Sequence, residues 1–263
     1  MTPLESFQEG KLGEAIQAQD RLVLSHPSDS AARLLLCEFL LFNGNLDAVR
    51  GHLDQLPCDS AEMNDYLDAY RQLLDAEAMR RRVLFGPNPA DEPLFLLDVP
   101  EPLRHRLDAL RALRTGDQAR AVESLDHADA LLEEVVGHVD GREFQGVSDG
   151  DDLFAPILEV LIDGQYAWFS FDQIDRLELG PLESLRDHLF VPATLRARAG
   201  EEWHVHLPAL YPNSHAHEDE EIRSGQATDW FADEDGPIRG VGLRVFTFGE
   251  EELMLLDFTL WER

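Results

Sequence analysis

Lysine is nearly missing from this chain. Lys11 is the only one among 263 residues, and 22 basic residues face 52 acidic ones, for a formal net charge of −30. A surface of that sign repels phosphate backbones, which argues against nucleic acid and anionic membranes as partners. Cysteine is almost as scarce. Cys37 and Cys58 form neither a CxxC pair nor a disulfide framework, so a reducing cytoplasm is the expected setting. No apolar run approaches the roughly 18 residues of a membrane span. The N-terminus, "MTPLESFQEGKLGEA", has no basic stretch leading into an apolar one, and no signal peptide is expected. Also missing are G-x-S-x-G, a Walker A loop and G-x-G-x-x-G. Nucleophile-elbow hydrolases and the common nucleotide-binding folds therefore lose their usual signals.

Hydrophobic residues make up 44% of the chain, enough for a globular core. The first 85 residues read as helices. "SDSAARLLLCEFLLFNG" opens on Ser/Asp cap candidates and closes on Gly44, and "NLDAVRGHLDQLP" opens on Asn45. In "DSAEMNDYLDAY" the spacing of Asp59 and Glu62 predicts a capping box. "EGKLGEA" and "NGNLDAV" repeat a glycine–leucine corner with a shift of 34 residues, and "RTGDQARAVESL" supplies a third. That grammar is TPR-like; an ordinary bundle with glycine corners is the competing reading. "FGPNPADEPLFLLDVPEP" is too rich in proline for one helix and reads as a connector over 86–102. Two more helices follow, the second closing at Gly137.

The period then changes. "APILEVLI-DG-QYAWFSF" is two strand-like runs around Asp163-Gly164, a two-residue hairpin turn. Tyr166 and Trp168 would share one face of the second run, Phe169 and Phe171 the other, which predicts cover on both. "EEWHVHLPALY" reads as a strand, "PLESLRDHLF" as a short helix or loop, and "IRGVGLRVFTF-GEEE-LMLLDFTLWE" as a second hairpin. The expected fold class is α+β: a TPR-like all-α domain over 1–137, then a β-rich α+β domain over 138–263.

Four features invite a chemical reading. Asp149, Asp151 and Asp152 precede Glu159 and look like the start of a metal or acid–base site. The EF-hand template fails at positions five, six and twelve, where Leu153, Phe154 and Val160 stand. A polar turn ahead of a buried strand is the expected role, with Asp149 holding the turn. The pairs His204/His206 and His215/His217 could supply a metal site or a metal-dependent enzyme, or could be exposed histidines without a ligand. Cys37, inside "LLLCEFLL", reads as core. The expectation is no catalytic residue, no metal and no cofactor.

The same residues carry a resemblance. "G-x-L-x-E-A" at 10–15, "HPSDSAARLLL", "LLFNGNLD", "RRRVLFG" at 80–86, "VDGREF", "PILEV" with "DGQYAWFSFDQI", "PLESLRD" at 181–187, "VPA", "YPNS" at 211–214, "TDW" at 228–230 and "GVGLR" at 240–244 stand in the order and spacing of the ImpE/TagJ family. The chain departs from the pattern at "FQGVSD", at "LFAP" and at Phe190 and Val191. The resemblance implies a cytoplasmic, non-enzymatic accessory protein of bacterial type VI secretion. Such proteins bind the N-terminal helix of the small contractile-sheath subunit and are linked to the ClpV AAA+ ATPase. A regulatory scaffold for another partner, such as an effector, is the alternative role. Arg186, Asp187, Tyr211 and Trp230 lie in the matching motifs and are the residues it singles out for partner binding. Read locally, Arg186 and Asp187 form an internal ion pair and Trp230 is core.

Overall fold

Side-chain caps and glycine corners set the helices of the first half. A computed structural model describes all 263 residues. It contains α1 (Pro3–Gln8), α2 (Leu12–Ser25), α3 (Ser30–Phe42), α4 (Leu46–Leu53), α5 (Ala61–Phe85), α6 (Glu101–Arg114) and α7 (Gln118–Asp129). Asp29, Asn45, Ser60 and Asp117 each accept a backbone N–H two or three residues inside the helix they open. At α5 the cap is Ser60, one residue after the Asp59 that the spacing suggested. The three predicted corners share one geometry. Gly10, Gly44 and Gly116 have φ of 74°, 74° and 76°. The residue after each glycine donates back to the carbonyl five before it, at Ser6, Leu40 and Ala112. These are Schellman stops, which glycine makes without strain.

The second half holds β1 (Val136–Val139), β2 (Arg142–Gln145), β3 (Val147–Asp149), β4 (Ile157–Ile162), β5 (Gln165–Ser170), β6 (Ile174–Leu179), β7 (Phe190–Ala197) and β8 (Glu202–Pro208). A short α8 (Glu220–Arg223) is followed by β9 (Thr228–Phe231), β10 (Arg239–Gly242), β11 (Val245–Phe248), β12 (Glu251–Met254) and β13 (Leu260–Glu262). Eight strands form one antiparallel sheet in the order β2-β1-β13-β6-β7-β8-β4-β5. A three-stranded sheet, β12-β11-β3, and the ribbon β10-β9 complete the framework. The chain is thus α+β, helices first and strands after.

The Asp163-Gly164 turn joins β4 to β5, with Ile162 opposite Gln165 and φ of 48° and 76° at the two turn residues. This is the backbone a type I′ turn demands. Asp140-Gly141 repeats it between β1 and β2, with φ of 48° and 77°. Gly137 was expected to close a helix; α7 stops at Asp129 and Gly137 lies in β1 opposite Phe144. A Cβ there would meet the Glu262 carbonyl at 2.4 Å, so the close approach of β13 requires glycine. The expected second hairpin is also divided. β11 and β12 form a hairpin closed by Gly249-Glu250, while β13 leaves for the large sheet.

One core of 56 residues runs through both halves. The long α5 presents Leu67, Leu73, Leu74 and Val83 inward and packs on β4 and β5. The proline-rich segment lies along β5: Leu94 donates to Tyr166 O at 2.8 Å and accepts from Trp168 N at 3.1 Å. It therefore covers an edge that would otherwise stay open. Tyr166, Trp168, Phe169 and Phe171 are all buried, so both faces of that strand are covered.

Candidate functional site

The opening acids and Glu159 converge, but inside the protein. Glu159 is the one charged residue of β4, in a strand otherwise made of Ile, Leu and Val, and it is 1% exposed. Burying a carboxylate in that setting is costly unless cations and donors surround it. Arg80, from α5, grips it with two parallel bonds, Nε to Oε1 at 2.8 Å and a terminal nitrogen to Oε2 at 2.9 Å. Arg244, between β10 and β11, donates to the same Oε2, and the Tyr166 hydroxyl donates to Oε1. Trp168 Nε1 donates to the Tyr166 oxygen.

Arg244 spends its other terminal nitrogen on Asp149. Its guanidinium lies 4.9 Å from the Tyr211 ring centre and 5.1 Å from that of Phe154. The Tyr211 hydroxyl donates to Asp149 Oδ1 at 2.8 Å. Asp149 also takes the backbone N–H of Asp151 at 2.8 Å. Asp151 takes Leu153 N at 3.0 Å and Gly240 N at 3.0 Å, and is bridged by Arg239 at 2.9 Å. The acid cluster is therefore not a solvated turn: Asp149 and Asp151 are 3% and 0% exposed. It ties the β3–β4 loop to β10 and β11.

Two cations and two carboxylates make the centre of this network neutral. Burial alone would push Glu159 up, yet Arg80 and Arg244 together hold it down to about 2. Asp149 has only one guanidinium, and burial pushes it up to about 6 despite Arg244. Neither carboxylate reaches solvent, so neither is placed to exchange protons with a substrate.

The residues singled out from sequence do not form one surface. Tyr211 belongs to the buried network. Trp230 lies over Gly150, where a Cβ would come within 2.4 Å of its ring, and meets Tyr211 edge-on at 5.5 Å; it stays 40% exposed. Arg186 and Asp187 sit together elsewhere, on a 3-10 turn at Leu185–His188, paired at 3.1 Å. The Arg186 guanidinium stacks over Tyr66 and Tyr70 of α5, at 5.3 and 5.0 Å. Asp187 caps its own turn by accepting from Glu183 N and Ser184 N, each at 2.9 Å. Glu38 of α3 is buried beside this pair. Desolvation raises it to about 7, with Arg186 opposing the shift.

The four histidines do not converge. His204 lies against Thr194, and burial with Arg186 nearby lowers His206 to about 4. His215 packs on the Gly44 corner, and His217 accepts from Asp219 N. No group of three or more His, Cys, Asp or Glu side chains is arranged to hold a metal ion. No helix is long and apolar enough to cross a membrane.

Sequence reasoning marked Asp149 and Tyr211 but assigned no role to Arg80 or Arg244. The available cue was Glu159, a lone charge in an apolar strand that needs a buried cation.

An open groove of about 530 Å³ runs between α1, the end of α3 and the Leu182–His188 segment, lined by Leu4, Phe7, Phe42, Leu182, Leu185 and Leu256. Leu4 and Leu182 are 39% and 38% exposed.

The fold has a solved counterpart. The crystal structure of protein VPA1032 from Vibrio parahaemolyticus superposes with a TM-score of 0.85 at 22% identity, over 99% of this chain and 96% of that one. The type VI secretion system accessory component TagJ of Pseudomonas aeruginosa is 28% identical over 253 residues, 96% of this chain and 88% of TagJ. Residues 141–261, which hold most of the buried network, match the model of the ImpE protein family. The C-terminal part of the chain thus matches the ImpE family, and nearly the whole chain is similar to TagJ.

Proposed function

We propose that this chain is a cytoplasmic, non-enzymatic adaptor of a bacterial type VI secretion system. It binds the N-terminal helix of the small contractile-sheath subunit and is linked to the ClpV ATPase. The likeness to TagJ across 96% of the chain carries the reading. Two features support it. The buried carboxylates are saturated by arginines and tyrosines, as in a structural network rather than a reactive one. The apolar groove beside the TPR-like helices offers leucine and phenylalanine side chains of the kind that take the apolar stripe of an amphipathic helix.

In this reading Arg186 and Asp187 fix the Leu182–His188 wall of the groove, and Tyr211 acts from the core. A pull-down tests the proposal. The chain is presented with the cognate sheath subunit, intact or lacking its N-terminal helix. Retention of the intact subunit alone is expected. Equal retention of both would end helix capture, and retention of neither would end the sheath assignment.

A further inference from the structure

A second apolar surface lies away from that groove, and the family reading leaves it unused. The end of α5, the inner side of α6 and the loop leading from β9 to β10 enclose a cleft of about 290 Å³, lined by Leu84, Phe85, Leu110, Leu113, Phe231 and Pro237. Phe85 and Phe231, which line it, stand 54% and 49% exposed. Two exposed aromatic side chains lining one apolar cleft mark a contact surface rather than scattered surface hydrophobes.

The rim specifies the partner. Asp233 lines it, and Asp229, Glu234 and Asp235, its near neighbours along the chain, are exposed. The two cations of the cleft do not neutralise them. Arg114 donates to the carbonyls of Gly86 and Asp91, and Arg239 is held by Asp151. Asp233 accepts only from the neutral Gln118 amide at 2.8 Å, and Asp229 accepts the Trp230 N–H. An apolar cleft bordered by an acidic loop with no paired cation suits a bulky apolar side chain flanked by arginine or lysine.

We infer that this cleft docks a short partner-protein segment with an aromatic or leucine anchor between basic residues. The site is independent of the sheath-helix groove and does not rest on the adaptor reading.

Fluorescence anisotropy on the full chain provides the test. Three labelled peptides are titrated: one with a central Leu-Phe flanked by arginines, one with glutamates replacing the arginines, and one with alanines replacing Leu-Phe. The first should bind about tenfold or more tighter than either control, and should weaken as salt is raised. Phe231→Ser and, separately, Phe85→Ser should each remove that preference without moving the melting temperature, because both side chains are already exposed. No binding of any peptide, equal binding of all three, or unchanged binding to both variants would overturn the inference. So would a concentration-dependent dimer of the chain that Phe231→Ser abolishes, since the occupant would then be a second copy.

Discussion

Arg244 has no polar neighbour to spare. It alone joins Asp149 to Glu159, and its guanidinium lies against the Phe154 and Tyr211 rings. Replacing it with methionine keeps the volume but leaves two buried carboxylates short of a cation. The expected loss is about 3–5 kcal/mol in urea unfolding. Glu38 gives a residue-scale prediction in pH. Its folded value is near 7 against 4.5 unfolded, so the folded state holds the proton more tightly. Its contribution is complete below 4.5 and is lost as pH rises through about 7. Melting curves of Glu38→Gln should therefore lack part of the decline that the parent shows over that window. Glu159 has the opposite sign: its contribution is full above 4.5 and is lost as pH falls through about 2.

At the scale of elements, the corner glycines can be told apart. Gly44 and Gly116 have nearly the same positive φ, so alanine costs roughly 1–2 kcal/mol at each for conformation alone. Only at Gly44 would the new Cβ strike a neighbour, His215 Cδ2 at 2.2 Å, whereas nothing lies within 4 Å at Gly116. Chemical denaturation should find Gly44→Ala clearly worse than Gly116→Ala, and His215→Ala should recover part of the difference, since it removes the ring but keeps a Cβ at 2.9 Å. These corners were legible because a Schellman stop is local chemistry, and so was the Asp163-Gly164 turn. The β1–β2 hairpin was not, although Asp140-Gly141 is the same dipeptide, because "ADALLEEVVG" keeps a helical apolar spacing up to Gly137. Tertiary packing decided against it: Val135 and Val139 are buried, while Leu131 and Leu132 stay exposed. The buried network was least legible. Residues 80, 149, 159, 211 and 244 come from α5, the β3–β4 region and the last third of the chain, and meet only in the tertiary fold. Sequence spacing carries no trace of that encounter.

For the whole molecule, the chain passes from helices to strands between the end of α7 at Asp129 and the start of β1 at Val136. The core crosses that line, since Arg80 supplies a counter-charge to Glu159 and the 86–100 segment covers the β5 edge. A fragment of 138–263 would bury Glu159 without Arg80 and expose the face of β4 and β5 that α5 covers. Such a fragment should show poorly dispersed amide signals by NMR, while the full chain loses helical and tryptophan signals in one transition.

The central claim is that the groove bounded by Leu4, Phe7, Leu182 and Leu256 takes the sheath subunit's N-terminal helix. Calorimetric titration of that helix, as a synthetic peptide, into the parent chain and into Leu182→Asp tests it directly. Leu182 is partly exposed, so the variant should keep its fold. Saturable binding to the parent, weakened by about tenfold or more in the variant, is the predicted result. Binding of equal strength to both, or to neither, would contradict it.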